Sequence, residues 1–213
     1  MSGAMRKSAP FRVLLDMDCV LADFEGNYLK CFREKFPNEP FVPLADRRHF
    51  YISDDYKKFE EQSPDILSKA RSVYETPGFF GSQPPIEGAL AAAKEISGLT
   101  NVEVFLCTSP LTKTPGVHHD IMEKLEWTEK HLGMDWVKRV IITKDKTMVH
   151  GNILIDDRPK IKGVLKPLPF KHILFTASHN RHLDLRATTA AERLDNWTDG
   201  SWQTLVEKYM KLM

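Results

Sequence analysis

Phe11-Arg12-Val13-Leu14-Leu15-Asp16-Met17-Asp18 is an apolar run that ends abruptly in two carboxylates one residue apart. A run of this kind reads as a short parallel strand covered on both faces, because such strands are apolar without alternation. The pattern recurs downstream. Val102 to Cys107 leads into Thr108-Ser109, and Ile153 to Ile155 leads into Asp156-Asp157, while Lys146 stands in the polar loop from Thr143 to Thr147. In an α/β protein the carboxyl ends of parallel strands open on one crevice, so polar groups placed there meet in space. Carboxylates, a hydroxyl and an ammonium converging there suit a divalent cation and a phosphoryl group.

Outside these strands the apolar spacing turns helical. Ala22 to Phe36 places Phe24, Tyr28, Leu29, Phe32 and Phe36 at threes and fours, and Pro37 and Pro40 end the run. From Pro43 to Tyr74 the chain is mixed polar and aromatic with no clear strand. Within it, Asp65 to Tyr74 reads as a short amphipathic helix capped near Ser63. Gly78, Gly81, Pro84 and Pro85 mark a boundary. Beyond it, Ile86 to Ile96, Ile121 to Leu132 and Trp202 to Met213 read as helices, and Val140 to Thr143 and His172 to Phe175 as strands. This alternation predicts a Rossmann-like, doubly wound parallel α/β sheet. Residues 25–81 interrupt it and are expected to form an inserted helical cap on a catalytic core made of 11–24 and 82–213.

Composition narrows the function. The chain has 213 residues, 42% hydrophobic and 28% charged, with a formal net charge of +1. Those proportions are those of a globular protein with one large domain, or a core and an insertion. The near-neutral balance argues against polymeric nucleic acid or an anionic membrane as partner, and no apolar stretch approaches a bilayer span. Cys19, Cys31 and Cys107 have no zinc-like spacing, and their odd number fits a reducing compartment. The start carries Arg6 and Lys7 without an apolar signal stretch, so the expected placement is cytoplasmic, with a trimmed mitochondrial precursor as the alternative. No G-x-G-x-x-G follows the first strand, which argues against dinucleotide binding. His118-His119 and His179 with His182 read as surface histidines, lacking Cys or acid partners nearby.

Each polar signal alone has a plainer account. Asp16-Met17-Asp18 and Asp156-Asp157 are also what turns and helix caps use. Thr108 and Ser109 could cap a helix before Leu111, with Pro110 and Pro115 leaving that loop open, and a loop lysine such as Lys146 is ordinarily solvated. The aromatics Phe24, Phe50 and Tyr74 could simply pack the cap. The fixed order of all four signals is what sets the bland accounts aside.

That order, aspartate-x-aspartate, Thr/Ser, Lys, paired aspartates, resembles the haloacid dehalogenase-like superfamily of phosphohydrolases. Residues 12–18 with Val20 to Glu25 resemble the opening of the 5′(3′)-deoxyribonucleotidases. So do Asp46-Arg47-Arg48, Ser72-Val73-Tyr74-Glu75, Cys107-Thr108-Ser109-Pro110, Asp145-Lys146-Thr147, Leu154-Ile155-Asp156-Asp157 and His179-Asn180-Arg181-His182-Leu183. The likeness runs from Phe11 to about Trp202.

The resemblance implies a Mg²⁺-dependent phosphatase of nucleoside 5′- (and 3′/2′-) monophosphates that prefers deoxyribose, as in dUMP, dTMP or dIMP. Asp16 would attack phosphorus, and Asp18 would serve as acid and then base. Mg²⁺ would be held by Asp16, the Asp18 backbone carbonyl and Asp157, supported by Asp156. Thr108, Ser109 and Lys146 would face the phosphoryl oxygens. Phe24, Phe50 and Tyr74 would surround the nucleoside, with the backbone of Tyr51 and Ile52 reading the base edge. The family also implies a homodimer. One position departs: Cys19 stands where the family has glycine, and a positive φ there would strain a cysteine by roughly 1–2 kcal/mol. Two other readings stay open. One is a phosphatase of another small phosphomonoester, and the other is a non-catalytic nucleotide-binding protein impaired by Cys19.

Overall fold

The computed structural model describes residues 9–111 and 118–212, so Arg6, Lys7 and Pro115 lie outside the described residues. Six strands pair in parallel into one sheet: β1 Phe11–Leu15, β2 Val102–Thr108, β3 Val140–Ile142, β4 Ile153–Asp156, β5 Lys171–Phe175 and β6 Glu192–Leu194. Their spatial order is β3-β2-β1-β4-β5-β6, so the chain winds outward in both directions from β1. This is the expected doubly wound sheet, and its reversal beside β1 opens a crevice at the strands' carboxyl ends. β6 escapes the sequence because it is three residues, Glu192-Arg193-Leu194, on an edge where only Leu194 is buried.

Alternate residues of β1 enter different clusters. Phe11, Val13 and Leu15 pack with Ala92, Ile96, Trp127 and Val206 of the helices α4 Ala89–Ser97, α5 His119–Leu132 and α7 Ser201–Met210. Leu14 faces the other way, with Cys107, Leu154, Ile161 and Phe170. A short helix, α6 Met134–Val137, adds Trp136 to the first cluster.

Residues 24–80 build a separate apolar cluster. Tyr28 and Phe32 of α1 Phe24–Lys35, Ile52 and Tyr56 of α2 Ile52–Tyr56, and Ile66 and Val73 of α3 Ile66–Tyr74 meet there with Phe79 and Phe80. The start of α1 is fixed locally: the Asp23 carboxylate accepts from Gly26 N at 2.9 Å. A Cβ on Gly26 would lie 2.1 Å from Asp23 Oδ2, so any larger residue there would make the capping carboxylate turn. At α3 the N-cap is Asp65, with Ser63 donating its hydroxyl to Asp65 Oδ1 at 3.2 Å, a shift of the expected cap by two residues. α4 begins at Ala89 because the backbone before it is tied up, Ile86 N donating to Leu21 O at 2.8 Å. Asp23 N likewise donates to Pro84 O at 2.8 Å, so the two chain crossings between the helical cluster and the sheet run side by side.

Candidate active site

The loop after β1 is held by its own backbone. Asp16 N donates to Ile155 O at 2.9 Å, and Met17 O accepts from Leu21 N at 2.8 Å and Ala22 N at 2.9 Å. Within this loop Cys19 N donates to Ala22 O at 2.8 Å, and Cys19 itself has φ 61°. The left-handed conformation that the glycine of the family pattern would permit is therefore present, with a cysteine in it.

At the strand ends the acidic residues meet. Asp16, Asp156 and Asp157 each offer a carboxylate oxygen within 4.8 Å of the others. Lys146, buried rather than solvated, places Nζ 2.7 Å from Asp16 Oδ2 and 2.6 Å from Asp156 Oδ2. Burial pushes the Asp16 carboxyl up to about 6, with Asp156 and Asp18 adding to the rise and Lys146 opposing it. Asp157 lies well above the ordinary carboxylate range, chiefly through burial and then the charges of Asp156 and Asp16. For Asp156 burial also acts upward, but the adjacent Lys146 ammonium outweighs it and the carboxyl lies below its usual value. Burial lowers Lys146, yet Asp156 and Asp16 together hold it above the usual lysine range. Three buried carboxylates facing one ammonium leave excess negative charge, and an all-oxygen donor set of this size fits Mg²⁺.

The Asp18 side chain points elsewhere. Lys124 Nζ donates to Asp18 Oδ2 at 2.7 Å and Gln83 Nε2 to Asp18 Oδ1 at 3.1 Å, which leaves Asp18 outside the three-carboxylate group. Lys124 also donates to Thr108 Oγ1 at 3.0 Å and Ser109 O at 2.8 Å. Thr108 is fully buried, and the adjacent Ser109, not Thr108, lines the cavity. Ser109 turns its hydroxyl to Thr143 O at 3.0 Å.

A cavity of about 290 Å³ opens above the carboxylates. Phe24, Phe50, Tyr51, Ile52 and Tyr74 all line it, as do Asp16, Asp18, Lys146, Asp156 and Asp157. Phe24 does double duty, since its ring also packs edge-on against Phe79 with centroids 5.3 Å apart. Phe50 lies under the Arg158 guanidinium at 4.8 Å, and Arg158 Nη2 donates to the Tyr51 hydroxyl at 2.9 Å.

The reading of His179 as a surface histidine is wrong. It is 2% exposed, with Nδ1 3.2 Å from Glu25 Oε1 and Nε2 3.2 Å from Asp157 O. His182 and His118 are exposed, as expected. Glu25 also accepts from Arg47 Nε at 3.0 Å and from Ser178 N at 2.7 Å. Burial acts upward on Glu25, but His179 and Arg47 prevail and bring its carboxyl down to about 2. Lys124 and Gln83 are site-adjacent residues that sequence reasoning did not single out, and Glu25 and Arg47, quoted within the family motifs, were given no role there. Lys124 had a faint signal: Asp120, Lys124 and Thr128 share the helical face of Trp127, and that face is the buried one.

Cys19 can be tested by stability. Relief of its left-handed strain, roughly 1–2 kcal/mol, offsets the lost burial of a small side chain and the extra freedom of glycine. Cys19→Gly is therefore expected to unfold within about 1 kcal/mol of the parent in denaturant titration. Cys107→Gly, in the middle of the sheet with no strain to relieve, should lose about 2–3 kcal/mol. Equal losses would contradict the strained loop. Burial, with Asp157, Glu25 and Asp18, keeps the Cys19 thiol well above the ordinary range, so it is no reactive thiolate.

The chain is similar to known proteins over nearly its whole length. The family profile described as "5' nucleotidase, deoxy (Pyrimidine), cytosolic type C protein" matches residues 10–209. The cytosolic-type 5'(3')-deoxyribonucleotidase of Homo sapiens is 47% identical over 196 residues, covering 92% of this chain and 93% of the relative. The mitochondrial 5'(3')-deoxyribonucleotidase of Homo sapiens is 42% identical over 196 residues, covering 92% of this chain and 82% of the relative. Among solved structures, a haloacid dehalogenase-like hydrolase of Streptococcus pneumoniae superimposes with a TM-score of 0.58 at 10% identity, covering 94% of this chain and 99% of that one.

Proposed function

The chain belongs to the 5′(3′)-deoxyribonucleotidase family and is a phosphoric monoester hydrolase, and on that premise we propose that it is a Mg²⁺-dependent deoxyribonucleoside monophosphatase acting through an aspartyl-phosphate on Asp16. The observation that carries this reading is the meeting of Asp16, Lys146, Asp156 and Asp157 on the floor of a cavity walled by Phe24, Phe50 and Tyr74. Aromatic faces suit a nucleobase, and the polar floor suits its phosphate.

In this proposal Asp16 attacks phosphorus while Asp18 gives a proton to the departing nucleoside oxygen. Asp18 then takes a proton from the water that hydrolyses the intermediate. Asp16, Asp157 and the Asp18 carbonyl would hold Mg²⁺, supported by Asp156, and the ion would neutralise phosphoryl charge. Lys146 and the Thr108-Ser109 turn stabilise the transferring group. Residues 25–81 act as the cap, closing over the core formed by 11–24 and 82–213 and excluding water. Cytosolic placement and a homodimer belong to the same proposal, and no described helix is long and apolar enough to cross a membrane.

The test is phosphate release with Mg²⁺ from a panel of deoxy- and ribonucleoside monophosphates. Turnover should favour the deoxy member of each pair. Phe50→Ala and Tyr74→Ala should raise KM for nucleotides by about tenfold while sparing a small substrate such as p-nitrophenyl phosphate. Unchanged nucleotide kinetics in both variants would point to another phosphomonoester. Mg²⁺-dependent nucleotide binding without turnover, relieved in Cys19→Gly, would instead mean that the strained loop has silenced the site.

A further inference from the structure

A second donor cluster adjoins the acidic floor and differs from it in chemistry. Cys19, Glu25 and His179 each offer one ligand atom, a sulfur, an oxygen and a nitrogen, all within 4.8 Å of one another and all buried. They come from three separate segments: the loop after β1, the first turn of α1, and the turn after β5. All three line the large cavity, so a solvated ion can reach them. We infer that Cys19, Glu25 and His179 form a binding site for a borderline-soft divalent cation, zinc above all, separate from the oxygen-only site that suits Mg²⁺.

The separations fit. His179 Nδ1 and Glu25 Oε1 are 3.2 Å apart. Two ligands on one tetrahedral zinc, each bonded at 2.0–2.1 Å, stand about 3.4 Å apart, so these two atoms already have close to the separation a shared zinc needs. Sulfur, bonded at 2.3 Å, needs to stand about 3.6 Å from the other two ligand atoms, and the three donor groups already come within 4.8 Å of one another. The orientation is already set. His179 Nε2 faces Asp157 O at 3.2 Å, an arrangement that uses the N–H there and leaves Nδ1 for a metal. Glu25 Oε2 is fixed by Ser178 N at 2.7 Å.

The charge balance is also favourable. Arg47, 3.0 Å from Glu25 Oε1, opposes a cation, but Arg47 is itself paired with Asp55 on its other side. Asp157 and Asp18, which disfavour a bare thiolate at Cys19, favour a thiolate bound to a dication. Binding forms one bond each to sulfur, nitrogen and oxygen. The thiol proton leaves to solvent, Nδ1 binds through its lone pair, no atom changes oxidation state, and water from the cavity completes the tetrahedron. A sulfur donor selects zinc over magnesium. The glycine of the family pattern supplies no such donor, so the site belongs to this chain through Cys19.

The inference stands apart from the proposed reaction, and its test needs no turnover. The reduced, metal-free full chain in excess Mg²⁺ is titrated with Co²⁺. A thiolate-to-cobalt charge-transfer band in the near ultraviolet, with the visible bands of tetrahedral cobalt, is expected and should be displaced by Zn²⁺. Cys19→Gly and Cys19→Ser should lose the band and bind Zn²⁺ about tenfold more weakly or worse, while Cys31→Ser keeps both. Circular dichroism checks that each variant is folded. Absence of the band from the parent, or its persistence at full intensity in Cys19→Gly, overturns the assignment.

Discussion

Asp16→Asn is expected to lower kcat/KM for every nucleotide by at least ~10⁴-fold while leaving the protein folded. The carboxylate that attacks phosphorus cannot be replaced by an amide, whose nitrogen and oxygen are poor nucleophiles. Folding, by contrast, does not need the charge. Asn can still accept from Met17 N, which now donates to Asp16 Oδ1 at 2.8 Å, and Lys146 keeps Asp156 at 2.6 Å. In the metal-free protein the substitution even removes a penalty. The Asp16 carboxyl lies near 6 in the fold against 3.8 unfolded, so its ionised form disfavours folding above pH 6. That penalty, on the order of 2–3 kcal/mol, is present at pH 7 to 8 and fades as pH falls through 6 toward 4. In chelator the variant should thus melt above the parent at pH 8, with the gap closing by pH 4. Turnover within tenfold of the parent would remove Asp16 as nucleophile.

The contrast between what could and could not be read from the chain has a physical basis. β1, β2 and β4 are legible because each is mostly apolar and ends in a polar residue, as burial on both faces of a parallel sheet favours; the exceptions, Arg12 and Glu103, stand half-exposed near the strand starts and pair with each other. Asp16, Asp156 and Asp157 follow from them, since residues at strand ends converge whatever joins the strands, whereas Lys146, in a loop beyond β3, is marked only by its place in the order of signals. The longer core helices α4, α5 and α7 lie within about three residues of the expected bounds, their ends being set by contacts such as Ile86 N to Leu21 O that no local signal encodes, whereas the single turn α6 is not anticipated. The polar residues buried away from strand ends were not legible. Lys124 sits on a helix whose buried face carries Asp120, Glu123 and Thr128 beside Trp127 and Leu132, while Met122 is exposed, so the hydrophobic period marks that face only weakly. His179 reads as a surface histidine because no Cys or acid partner stands near it in sequence, and its partners Glu25 and Asp157 lie far away along the chain. A buried ion pair is built from two distant segments, and neither segment alone announces it.

Lys124→Met is expected to separate two kinds of substrate. Among the described residues, Lys124 Nζ is the one cation paired with the Asp18 side chain, 2.7 Å from Oδ2, and the same ammonium holds Thr108 Oγ1 at 3.0 Å and Ser109 O at 2.8 Å. Methionine fills nearly the same space but donates nothing, so Asp18 keeps only the Gln83 contact at 3.1 Å and can turn away from the leaving oxygen. A nucleoside leaves as a poor alkoxide unless it is protonated, whereas p-nitrophenolate leaves without a proton. Because kcat/KM reports the steps up to departure of the leaving group, it should fall about 10²–10³-fold for a deoxynucleotide and tenfold or less for p-nitrophenyl phosphate. Asp18 is 26% exposed on its side chain, so water replaces part of what the lysine provided and the fold survives with a modest loss of stability. If Lys124 only braced the helix against the sheet, both substrates would lose alike. Equal losses would therefore confine Lys124 to packing and return the orientation of Asp18 to Gln83 and the loop backbone.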